Sequence, residues 1–309
     1  LMISILYGLS PFIFITLLGF LFGRFKIFDL SHAKVLNLFL YYIAVPALII
    51  KFVAQSEIGL IDLKQIISYF LMQSICGIFT FLITSKYFKR PIPESIIWAL
   101  TVALSNHVTL LLPITQIYFN DDVVTQVASI ILMDGVILLS LIAFFLELAT
   151  KKNVQPIIFI RNIILNPMIL SILIGVFLFV FNFKIDDTPA EYTLSTLALC
   201  VSPVGLFAIG IILSFYTKNV LNKLTVSISV LKLIVSPLIL LLIGFLIFNS
   251  GLPHEIPGAF FVSVAPCGVT SIVLCSAYNV SPENIIKAIF ISTFASIATI
   301  FFAIQYLTI

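Results

Sequence analysis

Two short polar interruptions break long apolar stretches, one in each half of the chain. Their members are Ser105, Asn106 and His107 in the first, and Pro266, Cys267, Gly268 and Thr270 in the second. Proline removes a backbone donor and clashes with the preceding helical turn, and serine or asparagine side chains can bond the freed backbone groups. Unwound backbone inside a bilayer is tolerated only where protein buries it or where it lines a cavity. We therefore expect these residues to bind a solute, with a simple kink at Pro266 as the alternative interpretation.

The polarity of the interruptions indicates the kind of solute. Half-helices that begin near Val108 and Gly268 would point the positive ends of their dipoles into the cavity, and such ends favour an anionic group. His107 lies in the first interruption and has a side chain suited to proton transfer. A neutral, hydrogen-bonded histidine explains its presence almost as well, so its role is open.

Two ionisable residues lie inside other apolar stretches. Asp134 is placed roughly 16 Å deep, near the bilayer midplane, where an ionised carboxylate costs about 2.5 to 3.5 kcal/mol on insertion scales. It either couples a proton or contacts the substrate, or it stays protonated and bonds loose backbone. Lys232 either supplies a fixed positive charge to the same region or extends toward the cytoplasmic surface.

The cysteines do not indicate a metal or cofactor site. All four lie in apolar stretches, with no CxxC pair and no histidine at ligand spacing: Cys76, Cys200, Cys267 and Cys275. We interpret them as buried thiols and expect neither a metal nor a cofactor.

Composition places the chain in a lipid bilayer. Of its 309 residues, 61% are apolar and 9% are charged, against roughly 25% charged residues in soluble domains. Ten apolar stretches are long enough to span a membrane. They cover residues 3–23, 34–54, 65–85, 95–118, 123–147, 157–182, 191–216, 224–248, 257–278 and 284–307. The net charge is only +3 and the basic residues are scattered, so nucleic acid is excluded as a partner.

Basic residues predict the orientation, because they resist translocation and stay in the cytoplasm. Of the 16, 11 lie in loops after the first, third, fifth and seventh stretches, four lie in the other loops, and Lys232 is inside the eighth stretch. Both termini are therefore predicted to be extracytoplasmic in a multi-pass protein of the cell (inner) membrane. The first stretch has no basic segment before it and is predicted to span instead of being a cleaved signal.

The two halves show an internal repeat. At a shift of 156 residues, Pro11 aligns with Pro167 and Gly19 with Gly175. Each half holds five stretches, an odd number, so the second half must enter the membrane from the opposite side. We predict an all-α fold of two inverted repeats, residues 1–150 and 151–309, around the interrupted fourth and ninth stretches.

Several motifs, in this order and spacing, resemble the auxin efflux carrier family over nearly the whole chain. They are Gly19–Arg24, Leu36–Leu38, Tyr42–Leu48, Asn166-Pro167, Pro203–Leu206 with Gly210, Leu231–Leu233 with Pro237, and Ala265–Gly268. The resemblance implies a fold like that of bile acid/sodium symporters and sodium/proton antiporters, in which the interrupted spans 4 and 9 cross at the centre. It implies a scaffold from spans 1, 2, 6 and 7, a moving transport unit from spans 3–5 and 8–10, and a scaffold-mediated homodimer.

The resemblance also implies that Asn106 and Pro266 flank the substrate and that Lys232 matches the family's lysine in span 8. Two departures put the substrate in doubt. The family's fourth span carries small residues and glycine before its proline, where this chain has His107 and Leu110–Pro113. Its ninth span carries polar residues after the proline, where this chain has Cys267-Gly268-Val269.

These observations favour a secondary transporter for a small organic anion, driven by a proton gradient or the membrane potential. A cation/proton antiporter or a sodium-coupled symporter of the same fold is the alternative, with Asp134 and Lys232 at the ion site. An alternative outside the transporters is a membrane-embedded enzyme that uses His107 and Asp134 as acid and base. The sequence has no HExxH, GxSxG or P-loop motif, so we expect neither catalysis nor direct use of ATP.

Overall fold

A computed structural model describes residues 2–55, 62–150, 165–181, 183, 185, 187–216, 219–249 and 252–308. Some features of the sequence lie outside these residues. They are the start of the sixth apolar stretch at residues 157–164, the boundary between the predicted repeats after residue 150, and the basic residues Lys151, Lys152, Arg161, Lys184 and Lys218.

The described chain is helical and contains no strand, apart from one isolated bridge. We number the helices α1 (Met2–Arg24), α2 (Leu30–Ala54), α3 (Leu63–Tyr87), α4 (Ile92–Ala103), α5 (Leu112–Tyr118), α6 (Asp121–Thr150), α7 (Pro167–Val180), α8 (Pro189–Phe215), α9 (Lys223–Ile247), α10 (Pro257–Ser263), α11 (Thr270–Ala277) and α12 (Glu283–Leu307). Within the described residues, seven helices are long and apolar enough to cross a membrane, namely α1, α2, α3, α6, α8, α9 and α12. Shorter apolar helices are α4 and α7.

Polar residues at the joints begin several of these helices. Asn120 accepts a hydrogen bond from the Val123 amide at the start of α6, and Asn222 does the same for Thr225 at the start of α9. Such caps satisfy amides that have no partner inside the helix. The joints therefore fix where the apolar stretches become helical.

Five π-helical turns interrupt the regular helices of the described chain. They are Leu40–Ala44, Ile83–Tyr87, His107–Leu111, Asp134–Leu138 and Leu231–Val235. Proline explains three of them, because Pro46, Pro113 and Pro237 each lie two residues beyond the end of such a turn. The proline ring displaces the carbonyl four residues earlier and cannot supply the regular hydrogen bond, so the turn widens.

The helices pack in two groups. In the first, α1 lies along α8 and α2 lies along α7 and α8. Glycine permits the close approach of α1 and α8, because a Cβ on Gly210 would lie 2.2 Å from the Thr16 carbonyl oxygen. In the second group, α3 packs on α4 and α9, α9 packs on α12, and α10 packs on α6. The large buried side chains Trp98 and Tyr69 belong to this second group.

Three of the four cysteines are buried, as predicted. The prediction is wrong for Cys200, which is only partly buried. This residue joins the two segments of α8, and its thiol donates to the Thr196 carbonyl within the same helix. A thiol bonded to its own helix needs no tertiary partner, so packing does not require its burial.

Candidate functional site

The two interruptions meet in the interior of the helix assembly, and we call residues 104–106 and 266–268 the crossover. Ser105 and Cys267 form an isolated antiparallel bridge. The Asn106 amide donates to the Pro266 carbonyl at 3.0 Å, and the Gly268 amide donates to the Leu104 carbonyl at 2.8 Å. Each interruption therefore supplies the backbone partners that the other lost when its helix ended. Buried backbone groups need such partners, so the two breaks stabilise each other.

The helices on either side of the crossover begin and end close to the predicted places. Helix α4 ends at Ala103 and α10 ends at Ser263. The half-helix starts predicted near Val108 and Gly268 lie within two residues of the observed ones. A π turn begins at His107, and α11 begins only at Thr270, because Pro266 and the bridge at Cys267 hold the chain extended for longer. Thr270 is thus the partly buried first residue of α11 and is not part of the bridge.

Lys232 reaches the crossover from α9. Its Nζ donates to Ser105 Oγ and to the Val102 carbonyl oxygen, both at 2.8 Å. The side chain is fully buried, so it does not extend toward the cytoplasmic surface. Helix α4, interrupted after Ala103, leaves the Val102 carbonyl without an intrahelical partner, and the lysine takes that place.

Ser105 is the centre of a fully used hydroxyl network. Its Oγ donates to the Val262 carbonyl at 3.0 Å and accepts from Lys232. Tyr69 OH lies 2.9 Å from the same atom and completes the second acceptor position. A serine hydroxyl offers one donor and two acceptor positions, so this network allows only one arrangement of protons. It joins α3, α9 and α10 to the crossover.

His107 and Asp134 form a buried pair at the end of the first interruption. His107 Nε2 lies 2.9 Å from Asp134 Oδ2, and both side chains are at least 95% buried. Each residue opens a π turn, and Lys232 lies in a third. Such turns are frequent at functional sites.

Unpartnered polar atoms surround this pair. Asn106 accepts from Thr109 Oγ1, but its Nδ2 has no partner in the protein. The same is true of His107 Nδ1, Asp134 Oδ1 and Gln73 Oε1. Buried polar atoms are almost always hydrogen-bonded in folded proteins, so this group of two nitrogens and two oxygens marks a place where a ligand can supply partners.

A contact across the two helix groups lies beside these atoms. Gly205 on α8 packs against Thr109, whose Cγ2 would lie 2.6 Å from a Cβ at position 205. Leu40 on α2 lines the same contact. The first helix group therefore touches the second next to Asn106, at a point where no larger residue fits.

Several residues of the site were missed by sequence reasoning. Tyr69 and Gln73 come from α3, and Ser292 on α12 accepts from the Cys267 amide at 3.2 Å. Gln126 and Gln65 accept from the amides of Gly258 and Ala259 at the start of α10. The available signal was a polar side chain inside an apolar stretch, which normally faces protein instead of lipid.

In the described part of the chain, no three His, Cys, Asp or Glu side chains converge as a metal site would require. The site therefore consists of hydrogen-bonding groups, one buried amine and one His–Asp pair. Long apolar helices around a polar, interrupted centre define a multi-pass helical membrane protein.

The chain belongs to the family described as Membrane transport protein, whose model matches residues 4–304. This confirms the resemblance to the auxin efflux carrier family. An uncharacterized transporter of Methanocaldococcus jannaschii is 25% identical over 292 residues, which is 93% of this chain and 93% of the relative. The protein is thus a membrane transport protein.

Proposed function

We propose that the protein is a secondary transporter that moves a small organic anion of the carboxylate type across the cytoplasmic membrane. The observation that carries this proposal is the crossover, where two interrupted helices meet beside unpartnered buried donors and a buried lysine. Irregular backbone at membrane depth is tolerated where it contacts a solute path. The driving force is a proton gradient or the membrane potential.

The polar groups suit a carboxylate. Asn106 Nδ2 is a free donor, and His107 Nδ1 becomes a second donor when it carries a proton. The Lys232 amine donates to the hydroxyl of Ser105, so its positive charge lies beside the residue that precedes Asn106. Charge-assisted hydrogen bonds to a carboxylate are about twice as strong as neutral ones. The remaining predicted residues are Pro266, Cys267 and Gly268, which form the opposite side of the crossover, and Thr270, which begins α11 just beyond it.

We further propose ten spans in two inverted five-helix repeats, with both termini extracytoplasmic. In this arrangement α4 with α5, and α10 with α11, are the two broken spans. The antiparallel bridge between Ser105 and Cys267 supports it, because spans that enter from opposite sides meet head to head. The division into residues 1–150 and 151–309 follows from the same argument.

The packing supports a scaffold and a moving transport unit. Helices α1, α2, α7 and α8 would form the scaffold, and the remaining helices would form the unit that carries the crossover. The contact of Gly205 with Thr109 lies between them. A homodimer through the scaffold completes the proposal, since the scaffold would stay fixed while the unit moves.

Two oxygens favour a second candidate function. Asp134 Oδ1 and Gln73 Oε1 are buried and unpartnered, and sodium prefers oxygen ligands. A cation/proton antiporter or a sodium-coupled symporter would use them as an ion site. Ion flux in the absence of any organic acid distinguishes this function from anion transport. Catalysis is disfavoured by membership of a transport family.

The test is uptake of labelled organic acids by proteoliposomes that contain the purified protein. We expect uptake of at least one acid from a panel of acetate, lactate, malonate and malate, and its collapse in Asn106→Ala and Pro266→Ala. Undiminished transport in both variants would remove the site assignment. Flux of sodium without any acid would replace the proposed function by the second candidate.

A further inference from the structure

We infer that the His107–Asp134 pair is a proton-binding site, and that one proton crosses the membrane with each anion bound at the crossover. This inference rests on the proposed function and specifies how it is energised. It is carried by the geometry of the pair, by the free atom on His107 and by the charges of the groups around them.

The pair can accept a proton without losing its own hydrogen bond. His107 Nε2 already contacts Asp134 Oδ2 at 2.9 Å, while His107 Nδ1 has no partner in the protein. A proton added to Nδ1 turns the neutral imidazole into an imidazolium that still donates to the carboxylate. The ring therefore stays in place in both protonation states.

The new N–H also creates a site for an anion. A protonated Nδ1 is a donor that nothing in the protein uses, and it belongs to the residue that follows Asn106, whose Nδ2 is likewise unused. An anionic oxygen placed between them would accept from both. Proton and anion would thus contact the same atom of His107, which gives a direct physical reason for coupling between them.

Other titratable groups lie around the pair. Tyr69 on α3 and Lys232 on α9 lie within electrostatic reach of Asp134, and Cys76 and Cys267 lie near Lys232. Tyrosine, cysteine and lysine ordinarily titrate well above neutral pH, whereas histidine titrates near it. Within the described site, His107 is the one imidazole, and its Nδ1 can take up a proton without breaking a hydrogen bond.

Charge balance then sets the stoichiometry. The pair lies in a site that is almost fully buried. A bound monoanion adds a negative charge there, which is costly at low dielectric, and a proton taken up by His107 offsets it. By linkage, the anion raises the proton affinity and the proton raises the anion affinity by the same factor.

The experiment uses proteoliposomes that enclose a pH-sensitive dye, with labelled malonate and labelled lactate as probes. We expect an imposed inward proton gradient to drive accumulation of both probes, and one proton to enter per molecule of lactate, the monoanion. In His107→Gln, whose amide keeps the contact with Asp134 but does not titrate, the proton-to-lactate ratio falls toward zero. His254→Gln, in the short 3-10 helix Pro253–Glu255 before α10, is the matched control and keeps the ratio at one.

A substrate-free measurement covers a variant that transports nothing. The chain has three histidines, so His32→Gln with His254→Gln leaves His107 as the only imidazole. We expect infrared difference spectra between acid and neutral pH to show imidazole protonation in this background, and its loss when Asp134→Asn is added. A spectrum that is the same at acid and neutral pH, or an imidazole signal that Asp134→Asn leaves in place, overturns the inference.

The two hypotheses fail in different ways. Uptake of malonate or lactate without entry of protons overturns the proton site and leaves anion transport standing. A sodium requirement in place of a proton requirement does the same. Absence of uptake for every acid tested overturns the proposed function, and the infrared measurement then decides whether the pair binds a proton at all.

Discussion

Lys232 Nζ donates to Ser105 Oγ at 2.8 Å, across 127 residues of sequence. This bond ties the π turn of α9 to the interruption between α4 and α5. It also places a buried amine one residue from Asn106, in the part of the molecule where the two interruptions bridge. Position and chemistry of the proposed anion site therefore depend on this one contact.

Replacement of the lysine tests that dependence. Lys232→Met keeps most of the side-chain length but leaves the Val102 carbonyl without its donor, which costs about 1–3 kcal/mol for a buried acceptor. We expect transport to fall by at least about tenfold, the effect of roughly 1.4 kcal/mol. Uptake by proteoliposomes measures it, and melting of the purified protein reports the loss of stability.

The matched control is Lys287→Met, because Lys287 is also a buried lysine but pairs with Glu283 at 2.6 Å within α12. This variant is expected to keep transport. Equal transport by Lys232→Met and the wild type would contradict a role for the central amine.

Gly205→Ala is expected to block transport. Its new Cβ would lie 2.6 Å from Thr109 Cγ2, closer than van der Waals contact allows, so the contact between the two helix groups must shift. Thr109→Ser removes the clashing methyl and keeps the hydroxyl that bonds Asn106, and the double variant is expected to recover part of the activity.

Gly77→Ala serves as the comparison, since its Cβ would lie 3.6 Å from the nearest atom, an ordinary distance. The measurement is the uptake rate of Gly205→Ala, Thr109→Ser, the double variant and Gly77→Ala. A Gly205→Ala protein as active as Gly77→Ala would show that this contact does not limit movement.

The start of α10 gives a prediction on stability. Gln126 Oε1 accepts from the Gly258 amide at 3.1 Å, so this side chain caps a helix other than its own. Gln126→Leu is expected to lower the free energy of unfolding by about 1 kcal/mol, as the loss of a helix cap does. Gln126→Glu keeps the acceptor and should melt like the wild type. Identical melting temperatures for the leucine and glutamate variants would show that the cap contributes nothing.

Outside the membrane-spanning segments, Asp29 gives a prediction on pH. The Ser31 hydroxyl donates to this carboxylate, and so does the His32 amide. These bonds, that of Ser31 first, hold the pKa of Asp29 well below its ordinary value. A lowered pKa in the folded state means that the cap stabilises α2 above about pH 4 and that this contribution is lost as the pH falls further. We expect faster hydrogen exchange at the Ser31 and His32 amides below that pH.

The comparison for this prediction is Asp29→Asn, which retains a capping oxygen but does not titrate there. Its exchange, corrected for the intrinsic rate, should not change over the same range. A wild-type profile that matches the asparagine variant would exclude a titrating cap.

The breaks in the helices were predictable because their causes are local. Pro266 cannot continue a hydrogen-bonded helix, and Ser105 with Asn106 offers side-chain partners to freed backbone. The structure places the ends of α4 and α10 next to these residues. Three of the π turns were foreseeable for the same reason, since a proline follows each of them. No proline follows the π turn that begins at Asp134.

The contacts of the site could not be predicted, because they join residues remote in sequence. His107 pairs with Asp134 over 27 residues and Ser105 meets Tyr69 over 36. Apolar periodicity places helices but does not fix how they rotate and slide against one another. The sequence therefore left open which buried ionisable residues would meet, and Lys232 had two possible destinations until the packing of α9 was known.

The bridge between Ser105 and Cys267 makes each half of the chain incomplete without the other. A polypeptide that ended before α7 would leave the Asn106 amide and the Leu104 carbonyl unsatisfied in the hydrocarbon interior. Such a fragment would need a second chain that supplies an amide and a carbonyl in the same places.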